Sequence, residues 1–319
     1  MSTTTEISQD DPFSFVIQLN TEDERRGYHR RNEDGEVQRP DVLDDICQGL
    51  MLQARIDRIV HGTEKEGGNP ATLVVFGFRF HGLDEERRFK QAIITITFVD
   101  EKKRPKADPE VIALWPNGDF TLGDVTEIDV ETMIGGEASA EIGAEGGPAK
   151  AGTKAAKQWE KRKSFKVQDR SSLKGSIFLD AKVRDYGKNN AIKLTLNENT
   201  TAGSALVTDF RAVVLLRRPQ KPKAVAAEDS DDCFLGTVKM TAKAHFGYNA
   251  IRGLRDLLGF PPKNDPVKFQ PGVQWLRGPT LGHILEERLA VPIDEGNLNA
   301  ARLDELVGVL GTTVIATSH

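Results

Sequence analysis

Apolar residues return at every second position in a series of short segments along this chain. Phe13, Phe15, Ile17 and Leu19 alternate with Ser14 and Gln18; Leu52, Ala54 and Ile56 alternate with Gln53 and Arg55. Residues 71–80 form a dense β-branched and aromatic run, and in 89–99 Ile94, Ile96 and Phe98 alternate with Thr95 and Thr97. Successive side chains of a strand point to opposite faces, so a period of two predicts strands with one face in a core and one toward water. Residues 111–115, 122–134, 164–167, 176–183, 191–196, 208–216 and 234–246 are further strand candidates. In the last, Gly236, Val238, Met240, Ala242 and Ala244 make a small apolar face against Leu235, Thr237, Lys239, Thr241 and Lys243.

Turn chemistry separates these segments. Gly67, Gly68, Asn69 and Pro70 read as the loop of a hairpin, and Pro116, Asn117, Gly118 and Asp119 as a tight reversal. Short strands with turns between them and no long amphipathic helix predict a mainly β fold, an antiparallel β-sandwich or barrel with a protruding hairpin and a small mixed α/β C-terminal region. Residues 1–45 read as a mobile N-terminal arm with one strand-like anchor, since apolar residues are sparse from 20 to 45. Residues 46–246 read as the antiparallel β domain, with a Pro- and charge-rich loop insertion at 219–232. Residues 247–319 read as a small mixed cap with helix candidates at 249–258 and 281–289 and a final apolar run at 303–315.

Composition narrows the classes. The chain has 319 residues, 38% hydrophobic and 29% charged, with a net charge of -5. That suffices to bury a core and does not favour nucleic acid as a partner. The longest apolar runs fall well short of the ~20 residues of a spanning helix, and the first thirty residues show no signal-peptide core, so a cytoplasmic chain is expected. Two cysteines, Cys47 and Cys233, give no disulfide framework and read as small buried hydrophobes. No cofactor and no metal site is expected.

Residues 196–199 (Leu-Asn-Glu-Asn), 210–218 (Phe-Arg-Ala-Val-Val-Leu-Leu-Arg-Arg) and 264–271 (Asn-Asp-Pro-Val-Lys-Phe-Gln-Pro) resemble features of uncharacterised β-rich proteins of filamentous fungi, over about residues 175–275. The resemblance implies an intracellular fungal protein. It carries over no activity and no catalytic residue.

The least ordinary stretch is 134–159. Gly136, Ala138, Ala140, Ile142 and Ala144 alternate with Glu137, Ser139, Glu141, Gly143 and Glu145, and Lys150, Lys154 and Lys157 follow. With a turn at 146–149, Glu145 falls opposite Lys150 and Glu141 opposite Lys154, as in a charged cross-strand ladder ending near Trp159. The stretch reads as a structural surface hairpin. Two other readings stay open: a helix over 148–163 with a lysine stripe, and a membrane-inserting hairpin, for which ~9–11 alternating residues suffice. Against insertion, Ala and Gly offer little transfer energy at ~25 cal/mol per Å².

Basic clusters at 25–31, 102–106, 161–163 and 217–218 are interrupted by acids and read as solvated faces. The acidic run 228–232 reads as a solubilising loop rather than a calcium site. No nucleophile elbow, phosphate loop or zinc motif is present. His61 and His81, at the ends of neighbouring strand candidates and with His245 as a third member, are the only catalytic candidates. The leading expectation is a non-enzymatic cytosolic scaffold that binds a protein partner through hairpin and loops, with Glu141, Glu145, Lys150, Lys154 and Trp159 as binding residues. The second hypothesis is a membrane-active or pore-forming protein built on 134–159, and the third an enzyme with an irregular histidine site.

Overall fold

The alternating segments fold as strands whose apolar faces meet. The structure, a computed structural model, describes residues 6–7, 15–20, 30–47, 50–82, 87–104, 106–137, 158–200, 203–206, 209–220, 233–246, 264–273, 292–306 and 314–316. In chain order the described strands are β1 (Glu6–Ile7), β2 (Phe15–Asn20), β3 (Asp41–Cys47), β4 (Leu50–Thr63), β5 (Pro70–Gly82), β6 (Arg87–Asp100) and β7 (Glu110–Trp115). They continue with β8 (Gly118–Glu137), β9 (Gln158–Phe178), β10 (Ala191–Asn197), β11 (Asp209–Arg217), β12 (Phe234–Phe246), β13 (Val267–Phe269) and β14 (Val314–Ala316). Helix is confined, among the described residues, to a 3-10 turn at Leu298–Ala300 and the four-residue α1 (Leu303–Leu306).

The strands form two sheets. One runs β1-β2-β12-β6-β10-β9-β8-β14, with β13 also on β12; the other runs β3-β4-β5-β11-β7. The fold is mainly β and a sandwich, not a closed barrel. Phe76, Phe78, Phe80 and Phe210 from the second sheet meet Phe89, Ile94, Ile96, Phe98, Leu194, Phe234 and Met240 from the first in one buried cluster. Phe76 and Phe98 lie 6.3 Å apart across the layers, and Phe80 and Phe89 5.9 Å. Each such side chain, once buried, contributes on the order of 2 kcal/mol. A second cluster covers the outer face of the β4-β5-β11 sheet, where Leu73, Val75, Val213 and Leu215 pack against Leu298 and Leu306.

Within the segment read as an arm, Phe15–Asn20 pairs with β12 and Asp41–Cys47 pairs with β4. Val42 and Leu43 are buried there. Residues 30–39 are tied to 264–273 by polar contacts: the Arg30 amide donates to Asn264 Oδ1 (2.7 Å), the Asp265 amide to the Arg30 carbonyl (2.9 Å), and Arg39 Nη2 to the Asp265 carbonyl (3.0 Å). The predicted helices at 249–258 and 281–289 lie outside the described residues.

The chain divides into two compact units, residues 1–123 with 170–319, and residues 124–169. β8 and β9, 20 and 21 residues long and neighbours in their sheet, each run from one unit into the other.

Candidate functional site

The second unit holds the chain's unusual segment. Its described part comprises β8 after Gly123 and β9 before Arg170. Trp159 is the second residue of β9. Glu141, Glu145, Lys150 and Lys154 lie outside the described residues, as does the predicted turn at 146–149. In the first unit β9 pairs with β10 over Ser172–Phe178, and β8 with β14 over Phe120–Leu122. Among the described pairings, neither ladder reaches residues 124–137 or 158–169.

The structure does not bring the candidate histidines together. His61 stands opposite Thr72 beside the β4–β5 turn, whereas His81 stands opposite Met51 at the other end of the same ladder. At ~3.4 Å per residue the two are roughly 30 Å apart. His245 belongs to the other sheet, paired with Arg88 and Val16. A hairpin turn brings position 61 beside 72, so residues at the outer ends of its two arms meet each other and not those at the turn. His61 is locked in place: the Thr72 hydroxyl donates to Nδ1 (2.9 Å) and Nε2–H donates to Gln38 Oε1 (2.7 Å). Gln38 Nε2 in turn donates to the Val273 carbonyl (2.9 Å). Burial, assisted by the charge of Arg218, pushes the His61 pKa down to about 4. A neutral imidazole with both nitrogens engaged is a structural side chain.

A cluster of buried charges lies on the outer face of the β4-β5-β11 sheet. Arg55 Nε donates to Asp57 Oδ1 (2.9 Å), Arg211 Nε to Asp57 Oδ2 (2.7 Å), and Arg55 Nη2 to both oxygens of Asp209 (2.9 and 3.2 Å). Arg79 reaches Asp209 from the exposed side (3.1 Å). Burial works to lower the Arg55 pKa, and the carboxylates of Asp57 and Asp209 outweigh it, holding the guanidinium above its usual range. The cluster depends on a bulge: Ile56 pairs with Phe76 and Arg58 with Val75, leaving Asp57 as the extra residue. Its members are arginines and carboxylates joined to one another by hydrogen bonds, a fixed ion network. The sequence signal for it was the intrusion of Arg55, Asp57 and Arg211 into otherwise apolar strands. Among the described residues no group of three or more His, Cys, Asp or Glu is placed to hold a metal ion. Among them, too, no helix is long and apolar enough to cross a membrane, which says nothing of strands.

No protein-family model matches this chain. No curated protein matches it either. Among solved structures it is similar to the Clostridium perfringens NetB toxin in the membrane-inserted form, at 7% identity, over 81% of this chain and 92% of that chain, with a TM-score of 0.23. A similarity of that size carries no argument about activity.

Proposed function

We propose that this protein acts on membranes, by inserting a β-hairpin formed by residues 134–159 and the strands that flank them. The observation that carries the reading is the length of two adjacent strands. β8 and β9 run 20 and 21 residues, continue into a compact unit of their own, and bracket the alternating segment. A strand crosses the hydrocarbon layer with ~9–11 residues, so each arm is ample.

The alternation is also longer than the segment first singled out. On one parity the sequence reads Thr126, Ile128, Val130, Thr132, Ile134, Gly136, Ala138, Ala140, Ile142 and Ala144, without a charge. The other reads Glu127, Asp129, Glu131, Met133, Gly135, Glu137, Ser139, Glu141, Gly143 and Glu145. One uncharged face and one acidic face is the pattern of a strand between lipid and a wet lumen. The low apolarity of Ala and Gly, unfavourable for a lone hairpin, keeps a long ribbon from aggregating in water before it inserts. Two strands alone leave edge N–H and C=O groups that hydrocarbon does not tolerate. Insertion therefore requires several copies to pair edge to edge and close.

Dye release from liposomes tests the reading. The wild-type chain is expected to empty vesicles at micromolar concentration and to leave a detergent-stable oligomer. Ala140→Arg places a charge on the lipid-facing parity at about 2–4 kcal/mol per strand, and leakage should slow at least tenfold. Glu141→Gln, on the other parity, should leak like wild type. Intact vesicles with folded wild-type protein would return the chain to the partner-binding reading.

A further inference from the structure

Three rows on the outward face of the larger sheet, bordered by Asp119 of β8 on one side and by Asp180, which accepts from Thr97 of the next row, on another, have a composition that the chain as a whole does not. With Ala92, Ile94 and Ile96 of β6, Ile192, Leu194 and Leu196 of β10, and Met240 and Ala242 of β12 in the core, the alternate residues of these strands and of β9 face outward. Register aligns them in rows across β12, β6, β10 and β9. One row reads Lys239, Thr95, Lys193, Ser176; the next Thr241, Ile93, Thr195, Lys174; the next Lys243, Gln91, Asn197, Ser172. β2 extends the last two with Asn20 and Gln18. These rows hold four lysines, hydroxyls and amides, and no carboxylate, on a chain whose net charge is -5.

The β12, β6, β10 and β9 members of these rows are exposed or half-exposed. Neighbouring amides and hydroxyls already order one another: Gln91 Nε2 donates to Asn197 Oδ1 (2.8 Å), and Asn197 Nδ2 to Ser172 Oγ (3.1 Å). At the border Lys174 pairs with Asp119 of β8 at 3.2 Å, both side chains about half exposed, so that contact is weak and exchangeable. Lys239 and Lys193 flank Thr95 from the two sides, two strand spacings or ~10 Å apart. Rigid strands fix the base of every side chain.

We infer that this face binds an anionic polysaccharide. Ammonium groups at fixed spacing meet sulfate or carboxylate groups, while the Thr, Ser, Asn and Gln side chains between them suit ring hydroxyls, and rows that run across four strands suit an extended polymer. The lysine rows contain no aromatic side chain on which a base could stack. Their one large apolar residue, Ile93, is half-buried, which gives a bilayer nothing to take up. This inference stands independently of the membrane reading.

The test is retention of the full chain on immobilised heparin in a salt gradient, with affinities from titration at low salt. Wild type should bind heparin and ignore neutral dextran, and Lys193→Glu with Lys239→Glu should weaken binding at least tenfold. Lys103→Glu with Lys106→Glu changes the net charge equally on an exposed loop and should stay within twofold. The milder Lys193→Gln with Lys239→Gln, checked by thermal melting, guards against misfolding and should weaken binding at least threefold. No heparin binding, equal loss in both charge-reversal pairs, equal affinity for a single-stranded oligonucleotide, or phosphatidylserine-vesicle binding that falls with Lys193→Glu and Lys239→Glu as heparin binding does would each overturn the assignment.

Discussion

At His61 the side chain sits between two uncharged partners, Thr72 and Gln38, and beside Arg218. Nothing in that surrounding favours a proton, and a dehydrated imidazolium is expensive. The folded-state pKa of about 4 lies below the ordinary 6.5, so between those values the unfolded chain binds a proton that the native protein refuses. The sign follows: this group leaves stability unchanged above pH 6.5, lowers it as pH falls from 6.5 to 4, and adds no further loss below that. At ~1.36 kcal/mol per unit the loss at pH 4.5 is roughly 2–3 kcal/mol. Urea unfolding at pH 7.5 and 4.5 should show His61→Gln losing that much less than wild type between the two conditions. Equal losses would mean that His61 titrates normally. The residue was visible in the sequence as a histidine near a turn. What it does was not, because both partners and the nearby cation come from other stretches of chain.

Gly77 marks the equivalent lesson for a strand row. It pairs with Arg55 on β4 and with Arg211 on β11, so two guanidinium groups flank a position with no side chain. A Cβ there would stand 2.7 Å from Arg55 Cζ and 2.7 Å from Asp57 Oδ2, closer than atoms pack. Gly77→Ala is expected to force the network apart and lower stability by about 2–4 kcal/mol, read as a shift in urea midpoint at constant slope. A loss below ~1 kcal/mol would show that the network yields freely. Strands such as these were legible wherever one face is apolar: the alternation of Ile94, Ile96 and Phe98 and the small-residue face of 234–246 correspond to buried positions of β6 and β12. β4 was less regular to read because the bulge at Asp57 reverses its parity, placing Ile56 and Ile59 in the same core. Residues 30–39 were illegible for another reason. They are held by side-chain-to-backbone hydrogen bonds to 264–273, which leave no hydrophobic period.

For the whole molecule the sequence suggested a sandwich or a barrel but neither the number of sheets nor which strands neighbour which, since pairings such as β2 with β12 or β11 with β7 join segments far apart in the chain. The division into units was no more legible: β8 and β9 are single continuous strands, and only their contacts split at about 123 and 170. That split makes the two proposed activities separable. Among the described residues, both hydrophobic clusters are drawn from 1–123 and 170–319, and so are the β12, β6, β10 and β9 members of the lysine rows. Replacing 135–158 with a short Gly-Asn turn should therefore leave the main thermal transition within about 3 °C of wild type. The shortened chain should bind heparin as before and release no dye. The Lys193→Glu, Lys239→Glu chain should do the reverse, leaking vesicles that carry no polysaccharide while failing on heparin. Loss of heparin binding on shortening would show that the sheet face does not act alone, and a lower transition would show that 135–158 supports the sandwich. Either result would join what the contact pattern separates.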